Sequence, residues 1–148
     1  MKRKRPDPPA SPLAAMMERH LEDLQVKNYS EYTIRNRRGH IGFFVGWCHD
    51  RGVTEPTEVT RPILEHYQRH LYHYRQKNGK PLSFRSQVAR LVPVRVWFRW
   101  MARQRHILHN PASELELPRI EQRLPKVILS EAEMERVLAE PDIGDPLG

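Results

Sequence analysis

Cysteine, glycine and long apolar runs are all scarce in this chain of 148 residues. The single cysteine, Cys48, excludes an internal disulfide and any zinc site built from several cysteines. No apolar run reaches the length of a membrane span, and no apolar stretch follows the basic start Met1–Arg5, as it would in a secretory signal. We therefore expect a cytoplasmic protein that spans no membrane and binds no metal or cofactor.

The scarcity of glycine, with 7 residues, goes with an absence of strand-like patterns. Alternation of apolar and polar residues is hard to find along the chain. Hydrophobic residues make up 39% of the chain, which is enough for one compact core. These features predict an all-α domain.

Positive charge is abundant and unevenly divided. The formal net charge is +7. Residues 1–115 carry 21 lysines and arginines against 10 acidic residues, whereas residues 116–148 carry 4 against 8. The first part therefore suits a polyanionic partner, either nucleic acid or a membrane surface, and the tail belongs to a different unit.

Capping residues before apolar stripes define four helices. They are predicted at about 12–26, 31–50, 61–77 and 84–105. The caps are Ser11, Ser30, Thr60 and Ser83. Gly52 suits the end of the second helix, and Asn78-Gly79 stops the third. In the fourth helix Phe84 is predicted to point inward, and Pro93 to kink the helix or leave a carbonyl unpaired.

The segments outside the four helices complete the predicted organisation. Residues 1–11, rich in basic residues and proline, read as a flexible arm, and 12–115 as the helical domain. Prolines make 116–129 an extended linker. Ser130 and Glu133 form a capping box for a last helix at 131–140, within a further segment at 130–148.

The fourth helix is rich in arginine. Its arginines are Arg85, Arg90, Arg95, Arg99, Arg103 and Arg105. At about 100° per residue, all of these except Arg90 and Arg105 fall within one sector roughly 80° wide. The guanidinium groups of such a stripe repel one another unless an anion lies across them. A guanidinium can donate paired hydrogen bonds to phosphate oxygens or to the edge of a guanine. We favour nucleic-acid binding over a merely solvated face.

The second helix repeats the theme near its start. Arg35, Arg37, Arg38 and His40 follow the hydroxyl residues Tyr32 and Thr33. Phosphate contact competes with pairing to acids such as Glu31. Lys80 and Ser83 precede Arg85, where a phosphate site and a simple capped turn are equally supported. The glycines of this helix, Gly39, Gly42 and Gly46, allow a close approach of either a partner helix or DNA.

Two further groups have ordinary structural explanations. His66, His70 and His73 share one side of the third helix, but the general-base glutamate of a zincin is missing. They are expected to be polar or DNA-facing histidines. Trp97 and Trp100 are expected to serve packing rather than base stacking.

Several segments resemble the tyrosine recombinases, or phage integrases. Tyr29–Ile34 followed by Phe43–Cys48 resembles the S-x-x-T…F-x-x-W opening of their core-binding domain. Gly79–Ser83 and Leu91–Trp100 resemble the run G-x-x-L-S…L…R-x-F…W, and Asn110-Pro111-Ala112 resembles an N-P-A turn. Leu124–Glu133 is similar to the entry into the catalytic domain. The resemblance covers about 12–142, and the order and spacing of the segments are similar to those of the XerC/XerD and integron-integrase branches.

This resemblance implies a four-helix, SAM-like core-binding domain, which forms half of a C-shaped clamp with its second and fourth helices facing the major groove. It implies double-stranded DNA and recombinase protomers on DNA as partners, and a monomer in solution without DNA. The expected DNA-binding residues, from this and the basic faces, are Thr33, Arg35, Arg37, Arg38, Lys80, Ser83, Arg85, Arg95, Arg99 and Arg103.

The chemistry implied by the resemblance is a type IB transesterification, in which a tyrosine attacks a phosphodiester without a metal. Its residues belong to the family's C-terminal domain, and the T-G-x-R motif of that domain is not found in this sequence. We therefore expect no catalytic residue here, a tail that is the start of a truncated catalytic domain, and DNA binding without cleavage. The alternatives are a helical protein-interaction module docking through Trp97, Trp100 and the tail helix, and a stand-alone DNA-binding regulator.

Overall fold

The computed structural model describes residues 10–120. The chain divides into two units, 1–118 and 119–148, and only Arg119 and Ile120 of the second are described. The predicted arm up to residue 9, the linker beyond residue 120 and the helix at 131–140 lie outside the described residues. The helices of the described region all belong to the first unit.

Four α-helices make up the described part of this unit, as the sequence predicts. They are α1 (Pro12–Val26), α2 (Glu31–Asp50), α3 (Arg61–His73) and α4 (Phe84–Arg103), with a short 3-10 turn at Pro56–Glu58. Between residues 10 and 120 there is no strand, only an isolated bridge between Arg75 and Pro81. The all-α, four-helix architecture is confirmed.

Each helix begins at its predicted cap. The hydroxyls of Ser11, Ser30, Thr60 and Ser83 accept hydrogen bonds from backbone N–H groups three residues later, at 3.0–3.4 Å. These bonds satisfy donors that the first helical turn leaves unpaired. After α2, Gly52 adopts φ +80°, as its position predicts.

The third helix is shorter than predicted, ending at His73 rather than near residue 77. Tyr74 already has an extended backbone, and the Gln76 N–H donates to the Lys80 carbonyl at 2.9 Å. A tight turn with Gly79 at φ +82° thus replaces the last helical turn. The fourth helix likewise ends at Arg103, because Arg105 takes a left-handed φ of +63°.

Phe44 of α2 lies at the centre of the core. Its ring meets those of Tyr67 on α3 and of Trp97 and Phe98 on α4, edge to face, with centroids 4.8, 6.4 and 6.1 Å away. All four side chains are fully buried, and each contributes about 1.5–3 kcal/mol through burial. This cluster fixes α2 against α3 and α4, and so sets the direction of its neighbour Phe43.

Two expectations for α4 have different outcomes. The prediction that Phe84 points inward is wrong: it is 51% exposed and stacks on the exposed ring of Tyr72. As the first residue of α4 it lies at the rim of the core, where it contacts an exposed ring of α3 and is not enclosed by the other helices. Pro93 is buried, and the helix continues through it.

None of the described helices is long and apolar enough to cross a membrane.

Candidate nucleic-acid interface

The basic residues of α2 divide between two sides of the helix. The Arg38 guanidinium donates to the Glu18 carboxylate of α1. Arg37 is half-buried near His20 of α1, whose pKa is lowered first by burial and then by this positive charge. Arg35 is exposed on another side, towards α4. The three arginines therefore do not form one surface.

Arg35 lies in a groove between α2 and the first half of α4. The groove has a volume of about 290 Å³. It is lined by Tyr32, Arg35, Asn36, Gly39, His40, Phe43 and Arg90. No carboxylate is among these side chains, whereas two are guanidinium groups. We call this the α2/α4 groove; its chemistry suits an anion with hydrogen-bond acceptors.

Arg90 is the residue through which α4 contributes to this groove. Its guanidinium carbon lies 5.1 Å from the ring centroid of Phe43 and 5.6 Å from that of Tyr74, both within cation–π range. It has no hydrogen-bond or ion-pair partner among residues 10–120. Arg90 is not among the DNA-binding residues predicted from the sequence, because it falls outside the sector of about 80° that holds the predicted arginines of α4.

The arginine stripe on α4 faces elsewhere. Arg99 lies nine residues after Arg90, which at 100° per residue is half a turn away around the helix axis. Arg95 and Arg103 are each about 140° from Arg90 by the same reckoning. Because Arg90 points towards α2, these three point away from the α2/α4 groove. None has a carboxylate within 4.0 Å in the described part of the chain, and α4 itself carries no acidic residue.

The remaining predicted binding residues sit at helix starts and in the turn before α4. The Thr33 hydroxyl accepts from Ser30, and the Ser83 hydroxyl donates to that of Ser86, so both hydroxyls take part in caps. Lys80 is exposed in the turn, with its backbone N–H bonded to the Asn78 side chain. Arg85 is exposed on the first turn of α4. At this helix start the Ser86 backbone N–H already donates to the Ser83 hydroxyl, so a phosphate would have to compete for these groups.

Other candidates behave as packing residues. Trp97 is fully buried and donates to the Met16 carbonyl, and Trp100 donates to Asp23 of α1, so both serve packing as predicted. His70 lies among the aromatic rings of α2 and α3, and burial lowers its pKa. Over residues 10–120 no cluster of three or more His, Cys, Asp or Glu side chains could hold a metal ion.

Comparison with known proteins finds recombinases. No protein-family model matches the chain. Tyrosine recombinase XerC 2 of Ralstonia nicotianae is 51% identical over 136 residues, covering 92% of this chain and 39% of its own length. Tyrosine recombinase XerD of Pseudomonas putida is 30% identical over 122 residues, covering 82% and 38%. The chain thus spans about two fifths of the length of these curated relatives.

Solved structures match the fold. The N-terminal domain of a phage integrase/site-specific recombinase from Haloarcula marismortui superposes with a TM-score of 0.61 at 21% identity, covering 77% of this chain and all of that one. The integrase of mycobacterium phage Brujita gives a TM-score of 0.57 at 21% identity, with 87% of this chain and 40% of that one covered. The four-helix arrangement therefore also occurs in integrase domains.

Proposed function

The chain belongs to the tyrosine recombinase family, and we propose that its helical unit is the part of a site-specific recombinase that grips duplex DNA. Its partners are double-stranded DNA and, once bound there, other recombinase protomers. Without DNA we propose that it is a monomer. Strand exchange then depends on residues other than those of the helical unit.

The observation that carries this proposal is the α2/α4 groove. Two helices contribute one guanidinium each, Arg35 and Arg90, and none of the lining residues from the described part of the chain is acidic. Asn36 adds a side-chain amide beside the charges. Positive charge with polar side chains on helices is what a duplex requires, because phosphates supply affinity and base edges supply sequence preference.

The arginines on the far side of α4 take a secondary part in this proposal. Arg99 and Arg103 are exposed without carboxylate partners in the described region, so they attract any polyanion near the protein. Because they face away from the groove, they do not bind the same phosphates as Arg35. They raise the association rate with DNA more than they position it.

Fluorescence anisotropy of a labelled duplex, titrated with the chain at several salt concentrations, tests the proposal. The logarithm of the binding constant should fall linearly with the logarithm of salt concentration, by about 0.9 per phosphate contacted. Absence of binding, or binding indifferent to salt, would overturn it. Relaxation of supercoiled plasmid by the same chain is expected to be absent, and its presence would refute the assignment of strand exchange to other residues.

A protein partner is a second candidate function, and one observation favours it. Trp97 and Trp100, the anchors that the alternative hypothesis requires, are engaged in packing against α1. Tyr72 and Phe84, in contrast, stack on each other while 54% and 51% exposed. Exposed aromatic pairs are common anchors at protein interfaces. Light scattering after size exclusion, with and without duplex, separates the two functions: an oligomer that ignores DNA and dissociates in Phe84→Ser favours the protein partner.

A further inference from the structure

We propose that Arg90 is the side chain in the α2/α4 groove that reads DNA sequence, by donating paired hydrogen bonds to a guanine edge. This inference rests on the proposed function and goes one step further. It assigns sequence preference to one residue and separates that residue from the other arginines of the same helix.

The position of the Arg90 guanidinium is fixed before any ligand arrives. It lies over the rings of Phe43 and Tyr74, on two different segments of the chain, and is itself half-buried. Phe43 itself lies beside the rings of Tyr67 and His70 on α3, with centroids 6.4 and 6.3 Å away. Cation–π contacts with rings use none of the guanidinium's N–H groups, and contacts on two sides limit the side-chain freedom that remains to be lost on binding.

Nothing in the described chain uses the donors of this guanidinium. Arg38 has Glu18, and Arg61 has both Glu65 and Glu114, but Arg90 has no acceptor among residues 10–120. Arg90 therefore lines the groove with N–H groups that no described residue accepts a hydrogen bond from. Guanine presents two acceptors, N7 and O6, on its major-groove edge, and an arginine fork matches this pair.

The surroundings of Arg90 fit a base edge better than a lone phosphate. Asn36 lines the same groove, and asparagine can pair with both the N7 and the N6 group of adenine. At Gly39 no atom lies within 4 Å of where a Cβ would be, so the α2 backbone is open to a close approach. A phosphate would require only positive charge. Planar bases, in contrast, can use the Arg90 guanidinium, the Asn36 amide and the open backbone at Gly39 together.

Arg99 supplies the matched control within the same helix. It carries the same charge but lies half a turn around α4 from Arg90, is exposed, and stacks on no ring in the described region. Replacing each arginine by lysine keeps the charge and removes the planar fork. A purely electrostatic role predicts the same small effect at both positions, whereas base reading predicts an effect at Arg90 alone.

In the experiment, three proteins each select the duplexes they bind from a pool with a randomised core. They are the 148-residue wild-type chain and its Arg90→Lys and Arg99→Lys variants. The wild-type chain is expected to enrich a motif with a fixed guanine. Arg90→Lys should lose the preference at that position and bind the enriched duplex about 5- to 150-fold more weakly, the range for a bidentate arginine–guanine contact. Its binding to the unselected pool should stay within a few-fold, and Arg99→Lys should enrich the original motif.

Thermal melts establish that both variants fold; if Arg90→Lys does not, Arg90→Gln takes its place. The same motif enriched by the Arg90 variant, or equal losses at Arg90 and Arg99, would overturn the inference while leaving duplex binding intact. Wild-type binding without any sequence preference would overturn it too. Failure of the wild-type chain to bind any duplex would instead overturn the proposed function itself.

Discussion

The guanidinium of Arg38 on α2 and the carboxylate of Glu18 on α1 form an ion pair with Nη1 and Oε2 2.5 Å apart. Both side chains are about half exposed, so this surface pair contributes less than about 1 kcal/mol to stability. Its larger effect is on binding, because it neutralises one of the charges that the sequence assigned to DNA. Arg35, three residues earlier, has no such partner in the described region.

Arg35 and Arg38 should therefore respond differently to the same substitution. We expect Arg35→Gln to reduce the salt dependence of duplex binding by about one phosphate contact. Arg38→Gln should leave that slope close to the wild-type value, because its charge is already paired. Anisotropy titrations over a salt series measure both. Equal reductions in salt dependence for the two variants would mean that DNA displaces Glu18 from Arg38. Glu18→Gln would then bind duplex more tightly than the wild type does.

Gly39 and Gly46 of α2 test whether DNA approaches the helix backbone. Neither has an atom within 4 Å of a would-be Cβ, so alanine fits at both positions in the free protein. Each change should raise the free energy of unfolding by up to about 1 kcal/mol through helix propensity. Only Gly39 lines the groove, and Gly46 lies two turns further along α2.

We accordingly expect Gly39→Ala to weaken duplex binding while stabilising the fold, and Gly46→Ala to stabilise without weakening. Denaturant titration gives the stability and anisotropy gives the affinity. Unchanged affinity in Gly39→Ala would show that the nucleic acid stays clear of this turn. A loss of stability in either variant would contradict the open space around the two glycines.

The helices could be predicted from the sequence because their causes are local. A hydroxyl cap satisfies an N–H three residues away, and apolar spacing alone decides which side of α1 or α2 is buried. The end of α3 was missed because it depends on a competing turn: Gln76 bonds to Lys80, which removes the last helical turn despite favourable residues. Phe84 was misplaced because periodicity cannot tell where the core stops along a helix.

The groove could be predicted only in part, since its parts meet through tertiary structure. The basic start of α2 was visible, but Arg38 and Arg35 look alike until Glu18 is seen beside one of them. Arg90 gains its place from Phe43 on α2 and Tyr74 after α3, which lie 47 and 16 residues away in sequence. No local pattern joins these three, whereas the four-arginine sector is a local pattern that the sequence alone displays.

Cys48 should be chemically inert in the folded protein. Its side chain is fully buried, and burial raises the pKa of the thiol to about 12. Because the thiolate is the reactive form, we expect reaction with a disulfide reagent at neutral pH to be very slow in native buffer and fast in denaturant. A fast native reaction would indicate frequent local opening between α2 and its neighbours, and would contradict the close packing around this thiol.

His20 of α1 is buried against Trp100, with ring centroids 5.0 Å apart, and neither of its nitrogens has a hydrogen-bond partner in the described chain. Burial, assisted by the nearby charge of Arg37, lowers its pKa from 6.5 to about 4. The folded state therefore keeps this imidazole neutral at pH values where the unfolded chain binds a proton.

This difference makes stability fall on acidification. The contribution is complete above about pH 6.5 and is lost as the pH falls towards about 4, because only the unfolded chain takes up the proton in that range. For this single group the loss between about pH 7.5 and pH 5 is about 2 kcal/mol. The pKa of His70 is also lowered by burial, so His70 adds to the same trend, and the informative quantity is the difference in stability between the wild type and a His20 variant.

We expect His20→Phe, which keeps a ring against Trp100 but cannot be protonated, to flatten the curve of stability against pH by that amount in urea titrations at each pH. Parallel curves for the two proteins, or an NMR titration of His20 with a midpoint near 6.5, would show that water reaches the imidazole and that α1 and α4 do not close over it.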